Sequence, residues 1–541
     1  MESEINDILV TPKSSDVTSW NDLDTEISNK LQEIVPSQTE LSERVSVFKS
    51  TIFDTFNNRF GTKPRIQTEG KQKIHVDEQK KKLRKLKKES KRKYKELIRS
   101  AADEQEVTDE RTKWNKLVRL HNKIRLQELE VQKVEEQATN NTEFSKNPFD
   151  FIKHHVTKGK PSNLKPACNI DEATKFFTDR YEDKTRDEKL DFPFFIPLAA
   201  TPSSPIDIDP PSKVEIDEYV KSRRNKSSPG PDGIPYLIYK KCPKIRDFMI
   251  YLIRECWVNC VIPDRDKLAL KFLLPKTESS TNLDDFRDIT LFNAFIKVLF
   301  GVWARRVTKF MIKNKFINTN IQKGFVPNIS GCVEHNQTLH DVLKNDKRDG
   351  KPVQVTFLDL KNAFGSIKHN FIVAALRWYH VPEQFINIFK LLYSNCHVVV
   401  KVNNDLTPPI PVKIGSLQGG PEAGICFNIP WNIPLEAIYI KARDLGAIPE
   451  DKPVSAFADD LTTKTNDDTK MQTLLNFISS TFDWSKCLQL NTKKCKVLCI
   501  NERGEPSNVD LTLNGKKINH LENSPFKFLG RWIYPSLSDV E

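Results

Sequence analysis

The chain has 541 residues, of which 38% are hydrophobic and 29% charged, and a formal net charge of +12. It is long enough for two or more domains with their own cores, so a disulfide framework is not required, and the close pairs Cys256/Cys260 and Cys495/Cys499 lack the further Cys or His ligands of a structural zinc site. Met1-Glu2-Ser3-Glu4 has neither the basic start nor the apolar core of a signal peptide and no window approaches a membrane span, so the expectation is a soluble intracellular protein with reduced thiols and no membrane partner.

Residues 1–70 read as a polar segment with one amphipathic helix. Ser37-Gln38-Thr39-Glu40 is a capping box, Val45, Phe48, Ile52, Phe53 and Phe56 follow at helical spacing, and Gly61 stops the run. Residues 71–140 are basic and helical. Between Lys71 and Ser100 there are 14 Lys and Arg against 4 Asp and Glu, which concentrates most of the net charge in one segment. That asymmetry suits a polyanionic partner such as nucleic acid, and suits a solvated helix face equally well. Lys80 to Gln137 contains no Pro or Gly, and Leu83, Leu86, Leu97, Trp114, Leu117 and Leu120 are candidate buried positions in long helices, read as an antiparallel pair. The run Lys80-Lys81-Lys82-Leu83-Arg84-Lys85 fits a nuclear import signal. Residues 141–211 form a less regular region, starting near Asn147-Pro148-Phe149-Asp150-Phe151-Ile152. Pro193, Pro197, Pro202, Pro205, Pro210 and Pro211 rule out a continuous helix and mark its end as a linker.

From residue 212 to 541 the composition is that of a mixed α/β domain. Ser212 caps a short helix with Glu215 at the capping-box position, and Ser228-Pro229-Gly230-Pro231-Asp232-Gly233-Ile234-Pro235 is a stiff, sharply turning loop. Leu268 to Leu274 reads as a strand ending at Pro275-Lys276, Phe286 to Leu291 follows, and a helix starts near Ala294. A lysine and an arginine near the ends of neighbouring strands could grip a triphosphate, the arginine as a fork and the lysine as a point charge.

Val353, Val355 and Phe357 alternate with Gln354, Thr356 and Leu358 in a strand that ends on Asp359. Phe364 lies five residues on, and Gly415-Ser416-Leu417-Gln418-Gly419-Gly420-Pro421 is a glycine-punctuated loop. Val454, Ala456 and Ala458 lead into Asp459-Asp460, and Leu461 to Thr465 resumes a β-favouring run, a pattern of strand, tight turn and strand. An isolated Asp-Asp pair is ordinarily a turn. If the Asp359 strand pairs with this hairpin, however, three carboxylates meet at one sheet end, an oxygen donor set for two hard cations roughly 3.5 to 4 Å apart.

In this order the elements resemble the reverse transcriptases of non-LTR, LINE-type retrotransposons. Asp359 with Phe364, the Gly415–Pro421 loop, and Phe457-Ala458-Asp459-Asp460 are similar to motifs A, B and C of that family's palm. Lys226 to Pro235 resembles its opening signature, Pro275-Lys276 and Phe286-Arg287 its finger motifs, and Gln322-Lys323-Gly324-Phe325 its Gln-x-Gly-Phe segment. Leu490-Asn491 through Lys494 resembles motif D, and Phe528-Leu529-Gly530 the primer grip.

The resemblance covers about Ser212 to Ile533 and implies a right-hand α/β polymerase with fingers and palm. It implies two Mg²⁺ ions, replaceable by Mn²⁺, on Asp359, Asp459 and Asp460. Lys276 and Arg287 would hold the triphosphate, with Lys271 as a fallback for the lysine. Phe364 would be the steric gate against a ribose 2′-hydroxyl, with Gln418 and Gly419 beside the nucleotide. Lys494, or the adjacent Lys493, would donate a proton to pyrophosphate. The implied partners are an RNA template, a DNA primer and deoxynucleoside triphosphates, in a nuclear protein with a cytoplasmic ribonucleoprotein stage.

Three features depart from the pattern. Asp288 replaces the proline usual after the finger arginine. Glu422-Ala423-Gly424 replaces a Ser-Pro pair, and Pro430 and Pro434 are expected to interrupt the next helix. Beyond the primer grip no helical thumb follows, and no endonuclease pattern precedes the polymerase, so the expectation is a truncated element product. Two other readings compete with the polymerase: a catalytically incomplete RNA-binding relic, and an RNA-dependent RNA polymerase, which Ala458 and Phe364 disfavour.

Overall fold

The computed structural model describes residues 5–34, 40–65, 78–100, 103–116, 118, 165–225, 227–276, 280–403, 405–448, 450, 452–521 and 526–534. The expected basic helices beyond residue 118, Ser37 to Thr39, and the region around Asn147 to Ile152 lie outside these residues. The chain divides into two compact units, residues 1–65 with 165–541, and residues 66–164.

In the smaller unit a helix from Glu78 to Arg99 is followed by a second over 104–116, which folds back on it. Tyr94 stacks on Trp114 at 5.9 Å, and the Ser90 hydroxyl donates to Glu110 at 2.7 Å. Leu86, expected to be buried, is 46% exposed. Among the described residues these two helices share one narrow seam, which does not cover Leu86.

The larger unit begins with two helices where one was expected, Val17–Ile34 and Leu41–Phe60. Trp20, Leu23, Ile27 and Leu31 form a buried stripe on the first, masked in the sequence by the acidic and amide residues between them. Burying each such side chain stabilises by roughly 1.5 to 3 kcal/mol, enough to dock a helix with a polar outer face. Val45, Phe48, Ile52 and Phe56 are fully buried on the second, which Gly61 ends at φ +73°. The helix starts at Leu41 with Glu40 at the N-cap making no side-chain bond, and the Ser37 half of the expected capping box lies outside the described residues. Residues 1–65 thus belong to the same body as residues 165–541.

The proline-rich stretch is also not a loose linker. After the Ile170–Tyr181 helix, capped by a reciprocal Asn169/Glu172 box, the chain runs as a strap over the body. Phe192 stacks on Trp378 at 4.1 Å, Phe195 meets Phe477 at 5.5 Å, and Ile196 and Ile206 are buried. Prolines prevent helix here, but the interleaved aromatics anchor the extended chain. Ser212 then caps Lys213–Ser222 through the Glu215 amide, while the Glu215 carboxylate pairs with Arg306 at 2.7 Å instead of closing the box.

The central sheet has five strands in the order Asn519–His520, Lys496–Ile500, Val353–Leu358, Asp460–Thr465, Val454–Phe457. All six residues of Val353–Leu358 are buried, because both faces are covered. Val353, Val355 and Phe357 pack with Leu343, Leu498, Ile500 and Phe528, whereas Leu358 joins the main core. The second sheet is ordered Phe286–Leu291, Leu268–Pro275, His397–Val402, Asp405–Leu406, with Ile410–Pro411 also on His397–Val402.

The helix expected to break at its prolines runs unbroken from Ala423 to Asp444 through Pro430 and Pro434. Each interior proline costs roughly 3 kcal/mol. This helix is buried along most of its length, and Asn428 and Asn432 anchor it to the carbonyls of Gly324 and Phe316, so packing exceeds that cost. Among the described residues no helix is long and apolar enough to cross a membrane.

Candidate active site

The site is assembled at one end of the central sheet. Leu358 lies opposite Leu461 in an antiparallel ladder, so one step further Asp359 faces Asp460 across the strands. The hairpin closes with Asp460 opposite Phe457, which leaves Ala458 and Asp459 as the turn, with Ala458 at φ +55°. The pairing that the strand pattern required therefore exists, and it brings Asp359, Asp459 and Asp460 together. As they stand their carboxylates do not form a ready cluster of three metal-ligating groups, and none occurs among the described residues.

The electrostatics record their proximity. Burial raises the Asp459 carboxyl above its ordinary range, and the charge of Asp359 adds to the effect. Asp460 is pushed up to about 6 by burial and then by Asp459 and Asp359, with Lys494 opposing. Carboxylates that resist ionising together are stabilised as a set by a cation, and an all-oxygen donor set suits a hard divalent ion.

Lys494 reaches this end through its own loop. The Asn491 amide donates to Asp359 O at 2.8 Å, and the Lys494 amide donates to Asn491 O at 2.8 Å. That turn sets the Lys494 ammonium 3.8 Å from Asp359 Oδ2.

Lys276 and Arg287 stand at the facing ends of the second sheet, both exposed, with Leu274 opposite Arg287 in the ladder. Lys276 donates to the Asp284 carbonyl at 2.5 Å. Burial lowers its pKa, and the positive charges of Arg180 and Lys494 lower it further, so Lys276, Arg180 and Lys494 lie near one another. Arg180, which sequence reasoning missed, bonds Asn362 Oδ1 at 2.6 Å, three residues past Asp359, and lies 3.8 Å from Asp284. It sits on the Ile170–Tyr181 helix, far from the acids in sequence, with only an exposed-looking Asp-Arg-Tyr to signal it.

The fallback Lys271 is excluded. It is 1% exposed and committed to Asp288 at 2.5 Å and to the Tyr181 hydroxyl. Lys271 and Asp288 are diagonal neighbours on one face of their strand pair, since Lys271 lies opposite Thr290 and Asp288 opposite Leu273. Burial pushes Asp288 upward, but the charge of Lys271, aided by its hydrogen bond and by Arg180, holds it below the usual carboxylate range. The negative charge that replaces the proline is therefore neutralised locally, on the strand face opposite Arg287.

Phe364, Phe325, Gln418, Gly419, Gly420 and Pro421 line a cavity of about 300 Å³. Phe364 is half-buried, stacked on Phe427 at 4.6 Å and met edge-on by Phe325 at 5.5 Å. The Gln418 carbonyl accepts from the Thr290 amide at 2.7 Å, joining this loop to the Arg287 strand. Gly419 lies at φ +115°, and a β-carbon there would fall 2.4 Å from Thr290 O, so the close approach requires glycine. Beside it Glu422 is fully buried, with Oε1 bonded to the Tyr393 hydroxyl at 3.1 Å. Burial raises its pKa to about 7.

Phe528, Leu529 and Gly530 form the end of a two-stranded hairpin, Phe526–Phe528 with Arg531–Ile533. Leu529 and Gly530 take the positive φ values of its turn. Phe528 packs on Phe357 at 5.0 Å, which seats the hairpin on the strand that carries Asp359.

A mixed helix and strand fold, with three aspartates at the end of the antiparallel strands Val353–Leu358 and Asp460–Thr465 and Lys494 beside them, fits an α/β polymerase. The family model described as reverse transcriptase (RNA-dependent DNA polymerase) matches residues 278–533. The chain is 28% identical over 321 residues to the Retrovirus-related Pol polyprotein from type-2 retrotransposable element R2DM of Drosophila melanogaster, covering 58% of this chain and 28% of that protein. It is 25% identical over 281 residues to the Pol polyprotein from a type-1 retrotransposable element R2 of Popillia japonica, covering 51% and 38%. It is also 22% identical over 266 residues to the Transposon TX1 uncharacterized 149 kDa protein of Xenopus laevis, covering 48% and 19%. In each case the matched segment spans well under half of the relative. The reverse transcriptase match covers residues 278–533, and the relatives to which the chain is similar are Pol polyproteins of R2 retrotransposable elements.

Proposed function

We propose that this chain is the RNA-directed DNA polymerase of a non-LTR retrotransposon, with the central sheet as palm and the second sheet with its helices as fingers. The observation that carries the reading is the register that sets Asp359 against Asp460 with Asp459 in the adjoining turn. Their all-oxygen donor set fits Mg²⁺, or Mn²⁺ in its place. When bound, such ions activate the primer 3′-hydroxyl and neutralise the triphosphate.

The chain's own groups do the rest. The primer 3′-hydroxyl loses its proton to solvent as its oxygen bonds to the α-phosphorus, the bond from that phosphorus to the bridging oxygen breaks, and pyrophosphate leaves. Lys494, beside Asp359, gives the proton that the departing pyrophosphate takes up. Lys276, Arg287 and Arg180 hold the triphosphate as converging cations. Phe364, braced by Phe427, occupies the space a 2′-hydroxyl would need, and Gln418 and Gly419 bear on the nascent base pair. The Phe528-Leu529-Gly530 hairpin steadies the primer strand on the sheet. The basic helices of the smaller unit suit an RNA partner, and the Lys80 to Lys85 run suits passage from a cytoplasmic ribonucleoprotein to the nucleus.

Primer extension on an RNA template with Mg²⁺ tests this, with deoxynucleotides and ribonucleotides supplied separately and with Asp459→Asn as control. DNA synthesis that the substitution abolishes supports the polymerase. No extension, alongside RNA affinity that falls steeply with salt, would identify an RNA-binding relic, and ribonucleotide incorporation an RNA polymerase.

A further inference from the structure

The turn that presents Asp459 and Asp460 does not hold itself. Ala458 adopts φ +55°, a left-handed conformation that an L-residue holds only when something else compensates for the close approach of its β-carbon to the following carbonyl oxygen. Both backbone groups of Ala458 are bound by one side chain. Gln322 Oε1 accepts from the Ala458 amide at 2.9 Å, and Gln322 Nε2 donates to the Ala458 carbonyl at 3.0 Å. The same Oε1 accepts from the Gly324 amide at 2.7 Å, so the side chain is itself held in place. Gln322 is 1% exposed, and water cannot substitute for it.

The segment around Gln322 runs beside the hairpin as an added edge. Ala456 donates to Ile321 O at 2.8 Å and Lys323 donates to Ala456 O at 3.0 Å, a parallel bridge that sets Gln322 in register with the turn. Gly324 lies so close that a β-carbon would fall 2.1 Å from the Ala458 nitrogen. The Gly324 carbonyl accepts from Asn428 at 2.8 Å, and Phe325 meets Phe364. One short segment therefore joins the acidic turn, the Ala423–Asp444 helix and the nucleotide cavity.

We infer that Gln322 is the positioning residue that locks the left-handed turn at Ala458 and so fixes where Asp459 and Asp460 present their carboxylates. The inference rests on the polymerase reading for its consequence in catalysis, but the clamp is measurable without activity. An amide side chain suits the task because it offers a donor and an acceptor on one planar group, matching the amide and carbonyl of a single residue.

The test compares Gln322→Met, of similar length but without either polar group, with the double variant Gln322→Met/Ala458→Gly. Glycine takes positive φ without strain, so it restores the turn without the clamp. In hydrogen–deuterium exchange of the full chain, Gln322→Met should accelerate exchange in the 456–461 segment about tenfold while leaving the Val353–Leu358 strand unchanged. In primer extension its kcat should fall about tenfold or more with KM for the deoxynucleotide changed less than about twofold, and Ala458→Gly should recover most of the loss. Unchanged exchange at 456–461 would overturn the clamp even if the wild-type chain extends no primer. A kcat deficit that Ala458→Gly does not relieve would overturn the positioning role and assign Gln322 to packing. Loss of wild-type extension with accelerated exchange in the variant would instead count against the polymerase reading and leave the clamp supported.

Discussion

The Lys494 ammonium lies 3.8 Å from the Asp359 carboxylate, held there by a turn whose first residue bonds the Asp359 backbone. Under the proposed role, replacing the lysine removes the proton donor to the departing pyrophosphate. Lys494→Met should lower single-turnover incorporation by about 10²-fold or more, within the range for general-acid catalysis. Lys493→Ala should stay within about twofold of wild type on the same scale. Rapid-quench measurement of one nucleotide addition checks both, and equal losses at the two positions would remove the distinction.

Phe364 stacks on Phe427 and is exposed to the cavity that Gln418 and Gly419 line. Phe364→Ala should open room for a hydroxyl and raise the relative use of ribonucleotides by about 10- to 100-fold, since a steric contact of this size contributes a few kcal/mol of discrimination. Competing incorporation of matched ribo- and deoxynucleotides reads the ratio. Unchanged discrimination would locate the gate elsewhere.

Arg180 lies outside the matched segment yet bonds Asn362 beside the acids. If it grips the triphosphate, Arg180→Ala should raise KM for the deoxynucleotide about tenfold, the value of one charged hydrogen bond, with a smaller effect on kcat. Steady-state kinetics with varied nucleotide decide it; a loss confined to kcat would assign Arg180 to shaping the Asp359 loop.

The buried Lys271–Asp288 pair makes a stability prediction rather than a catalytic one. Asp288→Ala strands a buried ammonium and should cost about 3 to 5 kcal/mol, whereas Lys271→Met with Asp288→Leu should recover most of it. Urea unfolding of the three variants checks this. Equal stability of the single and double variants would show the pair to be dispensable.

Glu422 ties stability to pH. Its pKa is raised to about 7 in the fold by burial, above the ordinary glutamate value. Because the folded state holds the proton more tightly than the unfolded state, the associated stability is fully present below about pH 4.5 and is lost as pH rises through about 7. Glu422→Gln keeps the shape without the charge. It should be more stable than wild type at pH 8, by on the order of 3 kcal/mol, and should flatten the pH dependence between 5 and 8. Thermal melts across that range measure it, and parallel profiles for the two proteins would contradict it.

Local pattern accounted for much of the site. The Val353 to Leu358 alternation, the turn-forming Asp459-Asp460 and the glycine-rich Gln418 loop are all written in short sequence, because period and turn chemistry are properties of neighbouring residues. The first N-terminal helix was not legible although Trp20, Leu23, Ile27 and Leu31 recur at helical spacing. Four apolar positions in a polar run become informative only once a core exists to receive them.

What the residues determined by themselves was the chemistry on offer: three acids, a lysine after Asn491, a phenylalanine past the first acid. Tertiary structure alone decided which of these could act together. Lys271 lies within a strand and Lys276 just past its end, and the two look equivalent in sequence, yet one is buried against Asp288 and the other is exposed near Arg180 and Lys494, because the partner strand covers the face that Lys271 takes. Pro430 and Pro434 predicted a break that packing overrode, since the energy of a buried helix is summed over all its contacts and not over its own backbone. Gln322 and Arg180 reached the site only through folding, as hydrogen bonds between residues 136 and 182 positions apart leave no trace in local composition.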